Sequence, residues 1–294
     1  MQFRKATIIG VGLLGGSLGL ALRKRRLARK VTGFVRRARS IRECVACGAV
    51  DGATLDLAEA VRGADLVILC TPLSRMRSLA RQLAPHLERG ALVTDVGSVK
   101  ASVVRDVEST VSRVGAHFVG SHPMAGSEKS GVLAARADLF EGAICIITPT
   151  GRTQPAALKR TVQLWKALGS RTIKMTPAIH DQLVSRSSHL PYLSSVALTT
   201  CILDPVHSTA QGLLCAGGFR DTTRIAASSP EMWRDISLAN RQHIRKAMAG
   251  YMRHLVKLDE MVRRGDRDGL ATFFEKAKAL RQKWFAQAAM RQSK

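Results

Sequence analysis

The chain has 294 residues, 46% of them hydrophobic, which provides for a sizeable core in two domains or one large one. No run of 18 apolar residues occurs, so a membrane-spanning helix is excluded and no membrane partner is expected. The formal net charge of +24 points toward a polyanion, but no helix-turn-helix, zinc-finger or RNA-recognition signature accompanies it, and the basic clusters lack the interleaved aromatics that stack on single strands. No nucleic-acid partner is therefore expected, although residues 22–42 alone hold ten Lys or Arg and no acid.

Residues 6–16 read ATIIGVGLLGG. A short apolar run ends in Gly10, Gly12 and Gly15, and a helix-forming pattern follows at once. The order strand, glycine loop, helix is that of a dinucleotide site. Gly10 allows the tight turn, Gly12 lets a pyrophosphate approach the backbone, and Gly15 lets helix and strand pack closely. The free amides at Leu13, Leu14 and Gly15 and the helix dipole favour an anion there. An ordinary glycine turn is the competing reading.

Further apolar runs predict strands at 30–34, 66–70, 91–95, 117–120, 143–147 and 171–175. They are short, dense in Val, Ile and Leu, and do not alternate, as expected for strands covered on both faces of a doubly wound, mostly parallel sheet. Helical spacings fill the gaps, for example over 74–86 and 154–168. Ligands bind beyond the carboxyl ends of such strands, which directs attention to Thr71-Pro72 and to Asp95-Val96-Gly97-Ser98. The second strand ends in Phe34-Val35-Arg36-Arg37. An NAD site places an acid near there to hold the ribose 2′-hydroxyl, and Val35 stands in its place. Arg36 and Arg37 are suited to a 2′-phosphate, each charge-assisted bond being worth roughly 1.5–3 kcal/mol. The cofactor expected is NADP, with NAD possible. That both arginines are ordinary surface residues is the alternative.

The six cysteines (Cys44, Cys47, Cys70, Cys145, Cys201, Cys215) are scattered, mostly in apolar stretches, which fits buried thiols in a reducing cytoplasm. The chain enters its first strand directly after Lys5, with no room for a signal peptide, so a cytoplasmic location is expected. Cys44 and Cys47 read as the apolar side of a helix ending at Gly48. No second pair completes a zinc site, and no metal is expected.

The pattern changes after Thr176-Pro177. No strand-like run remains, and from His180 onward the chain reads as helices. Pro191 falls inside the first of these and should kink it. Gly217-Gly218 and Ser228-Ser229-Pro230 are expected to break the helical region. Ile244, Met248, Tyr251, Leu255, Leu258 and Val262 then make one long apolar stripe, read as the seam of a dimer between helical domains. The domain boundaries expected are 1–176 for dinucleotide binding and 177–294 for an all-α part.

Residues 121–131, SHPMAGSEKSG, place His122 and Glu128 beyond a strand end. A lone histidine is more often structural than catalytic. Ser98, at another strand end, and the segment GGFRDTTRIAASSPEMW with Asp221, Arg224 and Trp233 strengthen the reading of a site. Arg224 lies in a fairly apolar stretch, where an unpaired cation is costly. Asp221, Glu128 or a ligand carboxylate is its expected partner.

Together the segments GVGLLGGSLGLAL, DVGSVK, HPMAGSEKSG, HDQLVSRSSHLP and GFRDTTRIAASSPEMWRDI resemble the prephenate and arogenate dehydrogenase family of tyrosine biosynthesis, in the family's order and over roughly residues 6–240. The resemblance implies a Rossmann domain, a helical dimerisation domain, and oxidative decarboxylation of a cyclohexadienyl acid. It also implies roles. His122 is the catalytic histidine that bonds the ring hydroxyl, with a working pKa expected near neutrality. Ser98 helps orient hydroxyl, histidine and nicotinamide. Arg224 binds a substrate carboxylate, within an ionic network that includes Glu128 and Asp221. Trp233 walls the site and His189 lines it from the kinked helix. Where some members carry a second histidine against the substrate side chain, this chain has Tyr192, which leaves the keto acid and the amino acid both open as substrates. Two alternatives stand beside this reading: another small-acid dehydrogenase with a Rossmann and a helical part, and a basic nucleic-acid-binding redox sensor.

Overall fold

A computed structural model describes residues 2–204 and 209–292. In chain order the first part runs β1 (Phe3–Ile9), α1 (Leu13–Lys24), β2 (Ala28–Phe34), α2 (Ala38–Ala46), β3 (Gly52–Thr54), α3 (Leu57–Val61), β4 (Leu66–Leu69), α4 (Leu73–Leu83), β5 (Leu92–Asp95), α5 (Ala101–Ser112), β6 (His117–Pro123), β7 (Ile144–Thr148), α6 (Pro155–Ala167) and β8 (Arg171–Lys174). The helical part follows with α7 (Pro177–Val184), α8 (Leu190–Leu203), α9 (Thr209–Leu213), α10 (Gly217–Thr223), α11 (Pro230–Ala239), α12 (Arg241–Arg264) and α13 (Arg267–Gln292).

The strands form one sheet in the order β3-β2-β1-β4-β5-β6-β7-β8. All pairings are parallel except β6 with β7, which run antiparallel with His122 opposite Ile146. Every residue of β4 and β5 is buried, because helices cover both faces. Leu18 and Leu22 of α1, Cys44 of α2 and Leu164 and Trp165 of α6 pack on one face. Val61 of α3, Met76 and Leu83 of α4, and Val103, Val107 and Val111 of α5 pack on the other. The strand order reverses between β1 and β4, which opens a crevice at their carboxyl ends.

Seven of the eight strands fall where apolar runs predict them. The exception is β3, three half-buried residues with no Val, Ile or Leu, which pair with β2 at the sheet edge. Cys44 is buried on α2, which ends as expected before Gly48, at φ +73°.

In the helical part, Thr176 caps α7 by accepting from Ile179 N–H at 3.3 Å, with Pro177 in the first turn, so the helix starts three residues before His180. Ser185–His189 is a π-helical turn, and α8 continues from Leu190 with Pro191 in its first turn. A π turn shifts the hydrogen-bond register just ahead of the proline, which supplies no N–H. Ser229 and Pro230 do break the region, as the cap and first turn of α11. Gly217 and Gly218 open α10 directly after the interruption that follows Leu213, so the region is broken there as well.

The chain divides into two compact units between Arg241 and Gln242. Helices α7 to α11 belong to the first, the second being α12 and α13, so this division lies elsewhere than the change of pattern after residue 176. In the second unit, Met248, Tyr251, Leu255 and Val262 of the apolar stripe are exposed, and Met252 and Val256 widen it. No helix among the described residues is long and apolar enough to cross a membrane.

Candidate active site

The glycine loop joins β1 to α1. Gly10 has φ +96°, and a Cβ there would come within 2.8 Å of the Cys70 carbonyl oxygen and 2.9 Å of Thr71 Cγ2. A Cβ on Gly15 would meet the Gly10 carbonyl oxygen at 2.1 Å, so only hydrogen fits between loop and helix. A Cβ on Gly12 would meet nothing within 4 Å, which leaves the backbone open on that side. Gly12 precedes α1 without a side-chain cap, and the first turn carries no acid, so the amides of Leu13, Leu14 and Gly15 are available to an anion. Thr71 lies beside Gly10, its Oγ1 buried without a hydrogen-bond partner, and Pro72 precedes α4. A cradle closed to side chains, bare amides and an orphaned hydroxyl fit a dinucleotide. Val35 is buried at the end of β2, while Arg36 and Arg37 are exposed and their guanidinium groups make no hydrogen bond or ion pair among the described residues.

β5 and β6 supply the next wall. Asp95, at the end of β5, accepts from Gly97 N–H at 2.8 Å and Ser121 N–H at 3.1 Å. The fully buried Lys100 ammonium bonds to Asp95 and donates to the Ser121 carbonyl at 2.7 Å. This ion pair ties the loop carrying the half-buried Ser98 to the strand carrying His122. Removing either partner would strand a buried charge.

His122 is buried near the carboxyl end of β6, with Nδ1 2.8 Å from Nε2 of His180 on α7. His180 Nδ1 lies 2.7 Å from Asp181 Oδ1. The Asp181 carboxylate also accepts the Lys100 and Ala101 N–H groups at 2.7 and 2.9 Å, capping α5. Asn240 donates through Nδ2 to the Asp181 carbonyl at 2.8 Å and lies 3.2 Å from His189 Nδ1. His189 Nε2 is buried, with the Ser98 backbone beside the ring.

Burial pushes the His122 pKa well below 6.5, helped by His180, Lys100 and His189. The expectation of a pKa near neutrality is therefore corrected, because the strand end is sealed and its close neighbours add positive charge. Burial also lowers His180, opposed by its hydrogen bond to Asp181. His189 falls to about 4 through burial, which the nearby Asp181 charge and the Ser98 backbone oppose. All three imidazoles are neutral at pH 7.

The Tyr192 and Trp233 rings stack at 3.7 Å, 3° from parallel. Trp233 also meets His189 edge-on at 5.9 Å, and its Nε1 has no partner. Arg224 opens a short 3₁₀ turn, Arg224–Ala227, and reaches Glu128 Oε2 at 3.3 Å. Its side chain is 63% exposed, so the apolar surroundings expected for it do not seal it. The Asp221 carboxylate, exposed on α10, makes no hydrogen bond or ion pair among the described residues.

The fold thus brings His122 beside His189, and His189 beside Ser98 and Trp233, with Tyr192 stacked on the indole. It joins Glu128, from the loop after β6, to Arg224. Sequence reasoning gave no role to His180, Asp181, Asn240 or the Asp95–Lys100 pair. The signal was a His-Asp dipeptide in the first helix after the pattern change and a lysine at the start of an apolar helix.

A family model for the nucleotide-binding domain of prephenate dehydrogenase matches residues 18–174, and one for its dimerization domain matches residues 176–276. The chain is 36% identical over 292 residues to a prephenate dehydrogenase of Bacillus subtilis, covering 96% of this chain and 76% of that protein. It is 32% identical over 283 residues to a cyclohexadienyl dehydrogenase of Zymomonas mobilis, covering 95% of each. The crystal structure of prephenate dehydrogenase from Aquifex aeolicus, in complex with hydroxyphenyl propionate and NAD+, superposes with a TM-score of 0.89 at 34% identity over 96% of this chain and 99% of that one.

Proposed function

The chain belongs to the prephenate dehydrogenase family, an oxidoreductase with a nicotinamide cofactor, and we propose that it oxidatively decarboxylates prephenate to 4-hydroxyphenylpyruvate, or arogenate to tyrosine, with NADP preferred over NAD. The observation that carries the reading is a neutral, buried His122 held at a strand end in the domain that carries the glycine cradle. Gly10, Gly12, Leu13, Leu14, Gly15, Thr71 and Pro72 hold the dinucleotide, and Arg36 and Arg37 take its 2′-phosphate. When bound, the nicotinamide accepts a hydride from the substrate carbon that bears the hydroxyl.

His122 accepts the proton of that hydroxyl as the C–H bond breaks, and Ser98 orients the hydroxyl. Carbon dioxide then leaves the opposite ring carbon, its bonding electrons complete the aromatic ring, and the proton returns to the ring oxygen. Aromatisation drives the reaction, so the protein positions and polarises. Arg224, steered by Glu128 and with Asp221 close in sequence, clamps a substrate carboxylate. His189, Tyr192 and Trp233 wall the ring, and the unpartnered Trp233 Nε1 is a donor that the wall offers to a ligand. The alternatives, a different small-acid dehydrogenase or a nucleic-acid-binding redox sensor, are not favoured by the relatives.

We take residues 1–176 as the dinucleotide-binding part and 177–294 as the substrate-binding and dimerisation part. The exposed stripe on α12 supports a homodimer formed through the helical region. Six free thiols fit a cytoplasmic location.

Absorbance of the reduced nicotinamide, with prephenate and arogenate each crossed against NAD and NADP, tests the proposal. Turnover of at least one acid with a kcat/KM advantage for NADP is expected. A tenfold advantage for NAD would overturn the role of Arg36 and Arg37, and turnover of neither acid would overturn the activity.

A further inference from the structure

The contacts of His122 fix the placement of its proton. The Asp181 carboxylate receives two backbone N–H groups, from Lys100 and Ala101, and is held as an acceptor. In the 2.7 Å link between Asp181 and His180, the proton therefore sits on His180 Nδ1. A neutral His180 then carries its lone pair on Nε2. The 2.8 Å link to His122 requires a donor on the other side, which is His122 Nδ1–H. The lone pair of His122 is left on Nε2, for which no hydrogen bond exists among the described residues.

We infer that His180 and Asp181 are positioning residues, which lock His122 as the Nδ1–H tautomer so that Nε2 is the atom that takes the substrate proton. This rests on the dehydrogenase reading of the site. As the proton moves from the substrate oxygen to His122 Nε2, the imidazolium keeps donating through Nδ1 to His180, and the Asp181 charge supports it at one remove. No proton passes on to Asp181.

The charged and titratable groups around the pair come from four elements. His180 and Asp181 stand on α7, Asp95 and Lys100 at the β5–α5 connection, His189 on the π turn, and Cys145 on β7, where its thiol meets the His122 backbone. Lys100 and burial both oppose charging of either imidazole, so the chain of contacts is read with both rings neutral. Asp181 also caps α5, so substitution there perturbs folding, and His180 is the cleaner probe.

The test combines side-chain ¹⁵N NMR of His122 in the ligand-free protein with kcat and KM for prephenate, in the wild type, His180→Phe and His180→Gln. The wild type is expected to show a protonated Nδ1 and a bare Nε2. His180→Phe fills the space but offers no acceptor, so the proton should move toward Nε2 and kcat should fall at least about tenfold, with KM changed less than about threefold. His180→Gln offers a carbonyl to Nδ1–H and should restore most of the tautomer and of kcat. A packing role would give the opposite ranking, with Phe better than Gln. A wild type protonated at Nε2, or a folded His180→Phe with unchanged tautomer and kcat, would overturn the inference. Should His180→Phe not fold, the wild-type spectrum and His180→Gln still decide it. Turnover of neither prephenate nor arogenate by the wild type would fail the dehydrogenase reading alone, since the NMR result stands without catalysis.

Discussion

His122 and Arg224 illustrate two ways of placing a functional side chain. His122 projects from a strand in the middle of the sheet, and each contact behind it is itself fixed, from His180 through Asp181 to the start of α5. Arg224 stands on one short turn, mostly exposed, with a single 3.3 Å contact to an exposed glutamate. A group whose supports are rigid arrives preorganised. A group on a turn is ordered by what binds it. Differential effects on kcat and KM follow from that contrast.

The largest effect is expected at His122. Replacing it with Asn removes the proton acceptor but keeps a polar side chain of similar reach. Turnover should fall by roughly 10²–10⁴ with little change in substrate KM. Steady-state kinetics that showed mainly a raised KM would exchange the roles of the two residues. Next in size is Gly15→Ala, which sets a methyl group against the Gly10 carbonyl where 2.1 Å is available. The backbone must shift, at a cost of about 1–3 kcal/mol or more, visible in thermal unfolding and as weakened dinucleotide binding in calorimetry. Gly12→Ala, with open space around it, should leave stability nearly unchanged and weaken only the dinucleotide. Arg224→Ala should chiefly raise KM, on the order of 10–100-fold if one charge-assisted carboxylate contact is lost. Smallest is Glu128→Gln, since an exposed ion pair contributes about 0–1 kcal/mol to stability; a larger loss in a denaturant titration would show that the pair supports the fold.

The contrast extends to pH. His122, His180 and His189 all have lowered pKa values, so the unfolded chain binds protons on these groups that the native fold does not. Their neutral forms support the fold fully above pH 6.5, and that support is lost as the pH falls, for His189 down to about 4. Unfolding free energy measured across that window should decline on the acid side. The exposed Arg224–Glu128 pair should contribute little to it.

The sheet was legible because buried parallel strands need runs of Val, Ile and Leu: β4 is nothing else, and β5 opens on Leu92 and Val93. β3 was not, because its three residues owe their conformation to β2. In the site, the glycine loop and His122 were legible because strand ends and turns leave local marks. The His180–Asp181 contact joins α7 to β6 and α5 across 58 to 81 residues of chain, and no local pattern encodes it. The depressed His122 pKa was missed for the same reason: it depends on burial and on Lys100, His180 and His189, neighbours brought together only by folding.

The most direct measurement is the pH dependence of kcat/KM for the wild type, which reports the groups of the free enzyme. A plateau that continues below pH 6.5, ending in an acid limb well under the ordinary histidine value and absent from His122→Asn, is the expected result. A limb at 6.5 or above that disappears in His122→Asn would show that the catalytic imidazole is not held neutral by its surroundings, and would contradict the account.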